Sequence, residues 1–395
     1  MKTLISFLFL SLITDVAFPQ WIQQTSNTTK MLRSICFTDV NKGIVVGDSG
    51  TILKTTDGGT IWTLISSGTT RNLNSVDFPN ADTGFAVGDD GIILKTIDGG
   101  STWALNFTGP GDAYCVRFPD ANTGWVTDSE ANILKTYDGG NTWYMLVGLI
   151  APFYSAYFKD TTDGYLAGGG SGSETGVIIR TIDYLNTILP ETRTVLYSIF
   201  FPDDSTGYAA GMYGTIVKTN DAGTTWNILH HDSGPFYYSI FFTEKNTGYV
   251  AGSDGTIKKT TDGGFSWSVS PSGISEELRD IFFINADTGY AVGGNGVILQ
   301  TTSGGFVGIG NKEKEEPGFT VYPNPARDKI MIIPRKMHHD KLTLTITGCM
   351  GNQFFTGDFQ DQGACEVDVS SLPQGMYILK IETGSGLEVK KIMVR

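Results

Sequence analysis

The feature that most constrains this chain is a repeat of about forty residues that runs through its middle. Every copy contains a phenylalanine placed six residues before a glycine. Seven such pairs occur: Phe37/Gly43, Phe78/Gly84, Phe118/Gly124, Phe158/Gly164, Phe201/Gly207, Phe242/Gly248 and Phe283/Gly289. Each copy also holds four short β-like runs, which in the second copy are Asn74–Phe78, Gly84–Gly88, Ile92–Thr96 and Thr102–Asn106. Four strands in each of seven repeats predict an all-β fold, a seven-bladed β-propeller.

A register of tryptophans indicates how the ring of blades closes. The fourth run of a repeat begins with tryptophan at Trp62, Trp103, Trp143, Trp226 and Trp267. Trp21 lies one repeat length before Trp62, although no complete repeat precedes it, and no tryptophan follows the third run of the last repeat. We therefore expect the N-terminal strand at 21–24 to complete the seventh blade. Such a pairing of the chain ends would remove the open edge of the sheet array.

The turn before these tryptophans begins with an aspartate and is rich in glycine. Its aspartates are Asp57, Asp98, Asp138, Asp221 and Asp262, with an eroded copy at Asp183. The pattern resembles the Asp-box of sialidase-type (BNR) propellers. We interpret these residues as structural, because the carboxylate can accept backbone N–H bonds within its own hairpin and the glycines permit positive φ. With their Ala-Val-Gly and Ile-Leu-Lys-Thr runs, the repeats at 21–305 also resemble the Ycf48/Hcf136 family of seven-bladed propellers, whose members act as photosystem II assembly factors.

The two ends of the chain differ from the repeats. Residues 1–20 place Lys2 before an apolar run, which predicts a secretory signal peptide. Residues 306–318 are polar and turn-rich, which predicts a linker, and 319–395 contain alternating runs that predict a small Ig-like β-sandwich. The sequence has no other long apolar run, so we expect no transmembrane segment in the mature chain.

Three motifs characterise this C-terminal sandwich: Tyr-Pro-Asn-Pro at 322–325, the Gly348–Gly351 turn and Gly-Met-Tyr at 375–377. Together they resemble the type A sorting domain of the Bacteroidetes type IX secretion system. The resemblance implies that the type IX secretion machinery is a partner of residues 319–395. It also implies that the protein is secreted or attached to the outer cell surface. In an exported chain, Cys349 and Cys365 of this domain are candidates for a disulfide.

Charge and composition exclude several classes of partner and cofactor. The chain has 41 acidic and 28 basic residues and a net charge of -13, which argues against nucleic-acid binding. Four cysteines and four histidines without metal-ligand spacing predict neither a metal site nor a cofactor. A column of lysines on the third strands is expected to pack its stems along the blades and keep its charged heads in water. Its members are Lys54, Lys95, Lys135, Lys218 and Lys259.

One repeat position is predicted to form a ring at the mouth of the central channel, on the face opposite the Asp-boxes. This position, four residues before each anchor phenylalanine, is occupied by Arg33, Asn74, Tyr114, Tyr154, Tyr197, Tyr238 and Arg279. One interpretation is that these side chains only fill the channel mouth. The other is a binding site, in which the two arginines grip a carboxylate or phosphate and the tyrosines contact sugar rings or protein side chains.

Three functions are compatible with this sequence. We favour a non-enzymatic, exported propeller that binds an unknown protein or glycan at the propeller face. The resemblance to Ycf48 suggests an assembly factor for an envelope complex as an alternative. The Asp-boxes suggest a sialidase-like glycoside hydrolase as another, but sialidases usually need three arginines with a tyrosine–glutamate pair. The ring supplies two arginines and no glutamate, so we expect no catalytic residue.

Overall fold

The computed structural model is all-β apart from short 3-10 turns, as the repeats predict. It describes residues 21–146, 149, 151–170, 175–182, 187–188, 194–231, 233–305, 319–334, 341–348, 353–360, 364–383 and 386–395. The chain divides into two compact units, a large one that holds the repeats and a small one at the C-terminus. The predicted signal peptide and linker lie outside the described residues.

Within the described part of residues 21–305, the strands form seven four-stranded antiparallel sheets. The strands of the first three complete sheets are β2 (Leu32–Phe37), β3 (Gly43–Gly47), β4 (Thr51–Thr55) and β5 (Thr63–Ile65); β6 (Leu73–Asp77), β7 (Gly84–Gly88), β8 (Ile92–Thr96) and β9 (Ala104–Thr108); β10 (Ala113–Arg117), β11 (Gly124–Asp128), β12 (Ile133–Thr136) and β13 (Tyr144–Leu146).

The next three sheets have the same order, from an inner first strand to an outer fourth strand. Their strands are β14 (Phe153–Phe158), β15 (Gly164–Gly170), β16 (Thr175–Arg180) and β17 (Thr187–Ile188); β18 (Leu196–Phe200), β19 (Gly207–Gly211), β20 (Ile216–Thr219) and β21 (Asn227–His230); β22 (Tyr237–Phe242), β23 (Gly248–Gly252), β24 (Ile257–Thr260) and β25 (Ser268–Val269). The short 3-10 turns that join second to third strands are Asp48–Gly50, Asp89–Gly91, Met212–Gly214 and Gly294–Gly296.

The seventh sheet joins the two ends of the repeat region. It consists of β26 (Leu278–Phe283), β27 (Gly289–Gly293), β28 (Ile298–Thr301) and the N-terminal β1 (Ile22–Gln24). Ile22 pairs with Gln300 in antiparallel register, and the buried Trp21 donates from Nε1 to Oγ of Ser270 at 3.0 Å. The first strands of successive sheets contact one another, and β26 contacts β2, so the sheets form a closed ring.

Close packing across the first hairpin accounts for the repeated phenylalanine and glycine. Phe37 and Gly43 are register partners, and the phenyl ring lies directly over the glycine. A Cβ atom on Gly43 would come within 2.6 Å of this ring, and the six equivalent glycines are equally crowded. Phe37 also stacks on Tyr290 of the seventh blade, with 4.4 Å between ring centroids. The pair therefore sets both the hairpin and the contact between blades.

The C-terminal unit contains two sheets that share one apolar core, centred on Ile330, Ile332, Leu344 and Leu379. Its strands are β29 (Phe319–Tyr322), β30 (Lys329–Pro334), β31 (Lys341–Gly348), β32 (Gln353–Gln360), β33 (Cys365–Asp368), β34 (Gly375–Thr383) and β35 (Gly386–Val394). Cys365 is buried in this core, whereas Cys349 lies outside the described residues, so their disulfide stays a prediction. No helix in the described ranges is long and apolar enough to span a membrane.

Candidate functional site

The seven predicted ring residues all line one cavity at the centre of the propeller. Each is the second residue of the first strand in its blade, or the equivalent position, and each is half-buried. The cavity has a volume of about 260 Å³. In every blade this residue lies at a β-bulge of the first strand, where it has no register partner on the second strand and faces the channel. The structure therefore brings the seven predicted positions together around one cavity, and their role in binding stays a prediction.

Four tyrosines form a continuous arc on one side of the channel mouth. The ring centroids of Tyr114 and Tyr154 are 5.0 Å apart, those of Tyr154 and Tyr197 are 5.5 Å apart, and those of Tyr197 and Tyr238 are 5.4 Å apart. Partial burial raises the pKa of all four hydroxyls. Within the described ranges, the hydroxyls of Tyr114, Tyr154 and Tyr197 make no hydrogen bond to protein, so they remain open to a ligand.

The other ring residues already have partners in the protein. Nε of Arg33 forms an ion pair with Asp48, and Nη2 of Arg279 forms one with Glu277 at 2.9 Å. The guanidinium of Arg279 also lies over the Tyr238 ring, 4.1 Å from its centroid. Each arginine therefore brings its own carboxylate to the mouth, and the pair adds no net positive charge there.

Asn74 completes the ring between Arg33 and Tyr114. Its Nδ2 donates to a carboxylate oxygen of Asp89 at 3.1 Å and to the carbonyl of Ala113 at 2.9 Å. The side chain thus joins the second blade to the third across the mouth, and it holds Asp89 at the rim.

The sequence analysis did not predict a second, deeper tier of residues that line the channel. It is formed by the residue directly before each anchor phenylalanine: Cys36, Asp77, Arg117, Tyr157, Phe200, Phe241 and Phe282. The same repeat alignment contains this signal, one position before each phenylalanine. The tier gives the channel two different walls. Blades one to three supply polar or charged groups, and blades four to seven supply aromatic rings whose centroids are 4.7 to 5.9 Å apart.

The deeper carboxylates are fixed by hydrogen bonds. Asp77 accepts the backbone N–H of Phe118 at 2.7 Å, and Asp280 accepts that of Ile35 at 3.0 Å. Burial raises the pKa of both carboxyls above the ordinary value. Burial disfavours the charged form of Arg117, but the charges of Cys115, Asp77 and Asp280 outweigh it and raise the pKa of the guanidinium. Arg117 also donates to the carbonyl of Val116.

A belt of serines joins the blades around the channel. In five blades the third residue of the first strand is a serine whose Oγ accepts a backbone N–H from the next blade; these are Ser34, Ser75, Ser155, Ser198 and Ser239. Asp280 takes the same position where the seventh blade meets the first. The belt makes the wall beneath the tyrosine arc a fixed framework.

The Asp-box aspartates are engaged within their own turns. Oδ1 of Asp57 accepts the N–H of Ile61 and the hydroxyl of Thr55, both at 2.9 Å. The same two contacts recur at Asp98, Asp138, Asp221 and Asp262. These hydrogen bonds lower the pKa of all five carboxyls. Asp183 lies outside the described residues.

The prediction that the column lysines keep their heads in water was wrong for Lys218 and Lys259, whose heads are buried. Nζ of Lys218 donates to the carbonyl of Gly263 at 2.8 Å, and Nζ of Lys259 donates to that of Gly304 at 2.7 Å. Lys95 makes the same bond to Gly139, also at 2.7 Å. Each acceptor belongs to the equivalent turn of the next blade, so the column joins neighbouring blades on the Asp-box face.

The fold and the Asp-box geometry together define an Asp-box β-propeller. A family model described as photosynthesis system II assembly factor YCF48 matches residues 13–147, 181–269 and 226–307. Because these segments cover more than half of the chain, the protein belongs to this family. A second model, the secretion system C-terminal sorting domain, matches residues 320–395. The chain is therefore exported through type IX secretion, to the cell surface or beyond it.

Solved structures show the same fold at low sequence identity. YCF48 bound to D1 peptide is 20% identical with a TM-score of 0.62, and the match covers 73% of this chain and 96% of that one. YCF48 from Cyanidioschyzon merolae is 21% identical with a TM-score of 0.61, over 71% and 98%. PorZ, an essential surface component of the type IX system of Porphyromonas gingivalis, is 14% identical with a TM-score of 0.56, over 96% and 60%. No curated protein gives a match.

Proposed function

We propose that this chain is an exported, non-enzymatic binding protein that holds a protein or glycan partner at the channel mouth. The observation that carries the proposal is the tyrosine arc, whose unused hydroxyls and half-buried rings stand on a framework fixed by the serine belt. Rigid aromatic side chains provide large contact area at a small entropic cost. A YCF48 structure with a bound D1 peptide supports a peptide partner for a propeller of this family.

Two other functions have weaker support. Family membership favours a role as an assembly factor for an envelope complex, which would itself require partner binding. One observation favours a glycoside hydrolase, because Arg117 is a third arginine that lines the channel. However, Asp77 and Asp280 are tied to backbone N–H groups, and Arg33 and Arg279 are tied to carboxylates. We therefore favour binding over hydrolysis.

The test compares two tyrosine pairs on opposite faces of the propeller. Full-length wild type, Tyr154→Ala/Tyr197→Ala and Tyr137→Ala/Tyr144→Ala are applied to peptide and glycan arrays. Tyr137 and Tyr144 are a matched control, because they form an exposed ring pair at the Asp-box hairpin of the third blade. We expect one class of probe to be retained by wild type and control and lost by the mouth variant. Identical binding by all three proteins would contradict the proposal.

A further inference from the structure

We infer that the channel mouth recognises a cationic side chain, a lysine or arginine presented by a polypeptide partner. The inference rests on the proposed function and specifies the chemistry of the partner. It depends on three independent features of the mouth: the faces of the tyrosine arc, carboxylates that no cation neutralises, and the size of the cavity.

The tyrosine arc offers ring faces that attract cations. The face of a tyrosine carries partial negative charge, and a cation within about 6 Å of its centroid is stabilised. The protein uses this contact at one end of the arc, where the guanidinium of Arg279 lies 4.1 Å from the Tyr238 centroid. Among the described residues, no lysine or arginine occupies the faces of Tyr114, Tyr154 or Tyr197, so these rings provide the equivalent site for a cation of the partner.

Uncompensated carboxylates surround the other end of the arc. Asp89, Asp112 and Asp128 are close enough to Tyr114 to add to the effect of burial on its hydroxyl pKa. Asp89 accepts from the amides of Asn72 and Asn74, and Asp112 accepts the N–H of Asp90. These donors are neutral, and no described lysine or arginine forms an ion pair with Asp89 or Asp112. The charge of these two carboxylates therefore remains available to a cation at Tyr114, whereas Asp128 is 1% exposed and accepts three hydrogen bonds from Glu130 and Asn132.

The same comparison disfavours an anionic partner. Arg33 and Arg279 are the ring cations, and both are paired with carboxylates, Asp48 and Glu277. An anion would have to compete with these carboxylates, whereas a cation meets unpaired ones. The net charge of -13 acts in the same direction at longer range, because it attracts cationic partners before contact.

The size of the cavity favours a single side chain over an oligosaccharide as its occupant. Its volume of about 260 Å³ lies below the range of about 300–1,000 Å³ that is usual for small-molecule pockets. One long side chain that enters from the mouth suits this space. Lysine and arginine carry a charged head at the end of a methylene stem, so the stem would contact the rim of the mouth and the head would lie at the level of the tyrosine arc.

The test uses three synthetic Gly-Ser peptides that carry lysine, glutamate or norleucine at alternate positions. Binding to the full-length chain is measured by fluorescence anisotropy, at about 0.01 M and about 0.1 M salt, conditions that change the Debye length from about 30 to 10 Å. We expect the lysine peptide to bind at least about tenfold more tightly than the other two. Its affinity should fall as salt is added.

Three single variants separate a cation–ring contact from simple apolar packing. Tyr197→Leu should weaken lysine-peptide binding by about tenfold, and Tyr197→Phe should leave it within about twofold, because phenylalanine keeps the ring face. Tyr144→Leu, on the opposite face, should have no effect. The inference would be overturned if Tyr197→Leu and Tyr197→Phe lost the same amount of affinity for the lysine peptide and if the wild type bound all three peptides equally.

The outcomes also distinguish this inference from the proposed function. If the glutamate peptide or an array glycan binds instead, and Tyr154→Ala/Tyr197→Ala abolishes that binding, the mouth is a binding site but the cationic partner is wrong. If the lysine peptide binds equally to wild type and to this mouth variant, both proposals fail.

Discussion

The two faces of the propeller use the same repeat in opposite ways. On the Asp-box face the residues recur from blade to blade, and they make the same hydrogen bonds each time, as Asp57 and Asp138 illustrate. On the mouth face the equivalent ring position changes from arginine to asparagine to tyrosine. A residue that the blade needs in order to fold must recur in every blade. A position that differs between blades is not needed for folding in this way, and it can therefore contribute to partner binding.

The polar groups of the two faces differ in the same sense. The Asp-box carboxylates accept backbone and hydroxyl donors of their own turn, and the column lysines donate to the next turn. Little hydrogen-bonding capacity is left there for a ligand. At the mouth, the hydroxyls of Tyr114, Tyr154 and Tyr197 have no protein partner in the described part of the chain. The Asp-box face is therefore the stability face, and the mouth is the candidate binding face.

The largest expected effect is on the stability side, at the tryptophan that closes the ring. Trp21 is 1% exposed, packs edge-on against Phe283 and bonds to Ser270. Trp21→Ala should cost about 3–5 kcal/mol of unfolding free energy, since it leaves a large cavity in the blade that joins the two ends of the repeat region. Urea unfolding measures the loss. Ile22→Ala, at a side chain that is 59% exposed, is the control and should change stability by less than about 0.5 kcal/mol. Equal stabilities of the two variants would contradict closure by this strand.

A smaller effect is expected at the seam between the seventh and first blades. Asp280→Ala removes the acceptor for the N–H of Ile35 and should cost about 1–3 kcal/mol. Asp280→Ser restores the residue that the belt has in five other blades, and it removes a buried carboxylate whose pKa is raised by burial. We expect it to be at least as stable as wild type near neutral pH. Thermal unfolding would contradict this account if the serine variant were as unstable as the alanine variant.

The sequence predicted what the repeats determine and missed what depends on side-chain choice. Trp21 and the ring positions follow from the spacing of the repeat. The ring residue of every blade lies at the same bulge of the first strand, so equivalent positions face the channel. The pairing of Arg33 with Asp48 depends on which of several rotamers a long side chain adopts, and the energies that decide this are about 1 kcal/mol or less. The position of the Lys218 head was predicted wrongly because its acceptor is a backbone carbonyl, that of Gly263 in another blade, and the sequence gives no sign of such a contact.

Acid should affect the contributions to stability of the Asp-box carboxyls and of the buried channel carboxyls in opposite directions. Hydrogen bonds from Thr142 lower the pKa of Asp138 from 3.8 to about 2, so its contribution is present above 3.8 and is lost as the pH falls through about 2. Burial raises the pKa of Asp77 and Asp280, so their contribution has the opposite sign: it is complete at low pH and declines as the pH rises through the raised values. Thermal unfolding between pH 5 and pH 2 should show a smaller acid-induced loss of Tm in Asp138→Asn than in wild type. Identical acid profiles would contradict this role of the Asp-box.

The smallest effect on stability is expected from the two ring arginines, and it decides between the two charges that a partner could carry. Arg33→Gln/Arg279→Gln removes partly exposed ion pairs, which together should cost no more than about 1–2 kcal/mol. If the arginines gripped an anion, binding would be lost. Because the variant leaves Asp48 and Glu277 unpaired and uncovers the Tyr238 ring, we instead expect the lysine peptide to bind as tightly as to wild type or a few-fold more tightly. Anisotropy titration measures the difference. A weaker complex with unchanged Tm would indicate that the two arginines contact the partner, and it would contradict the expected cation site.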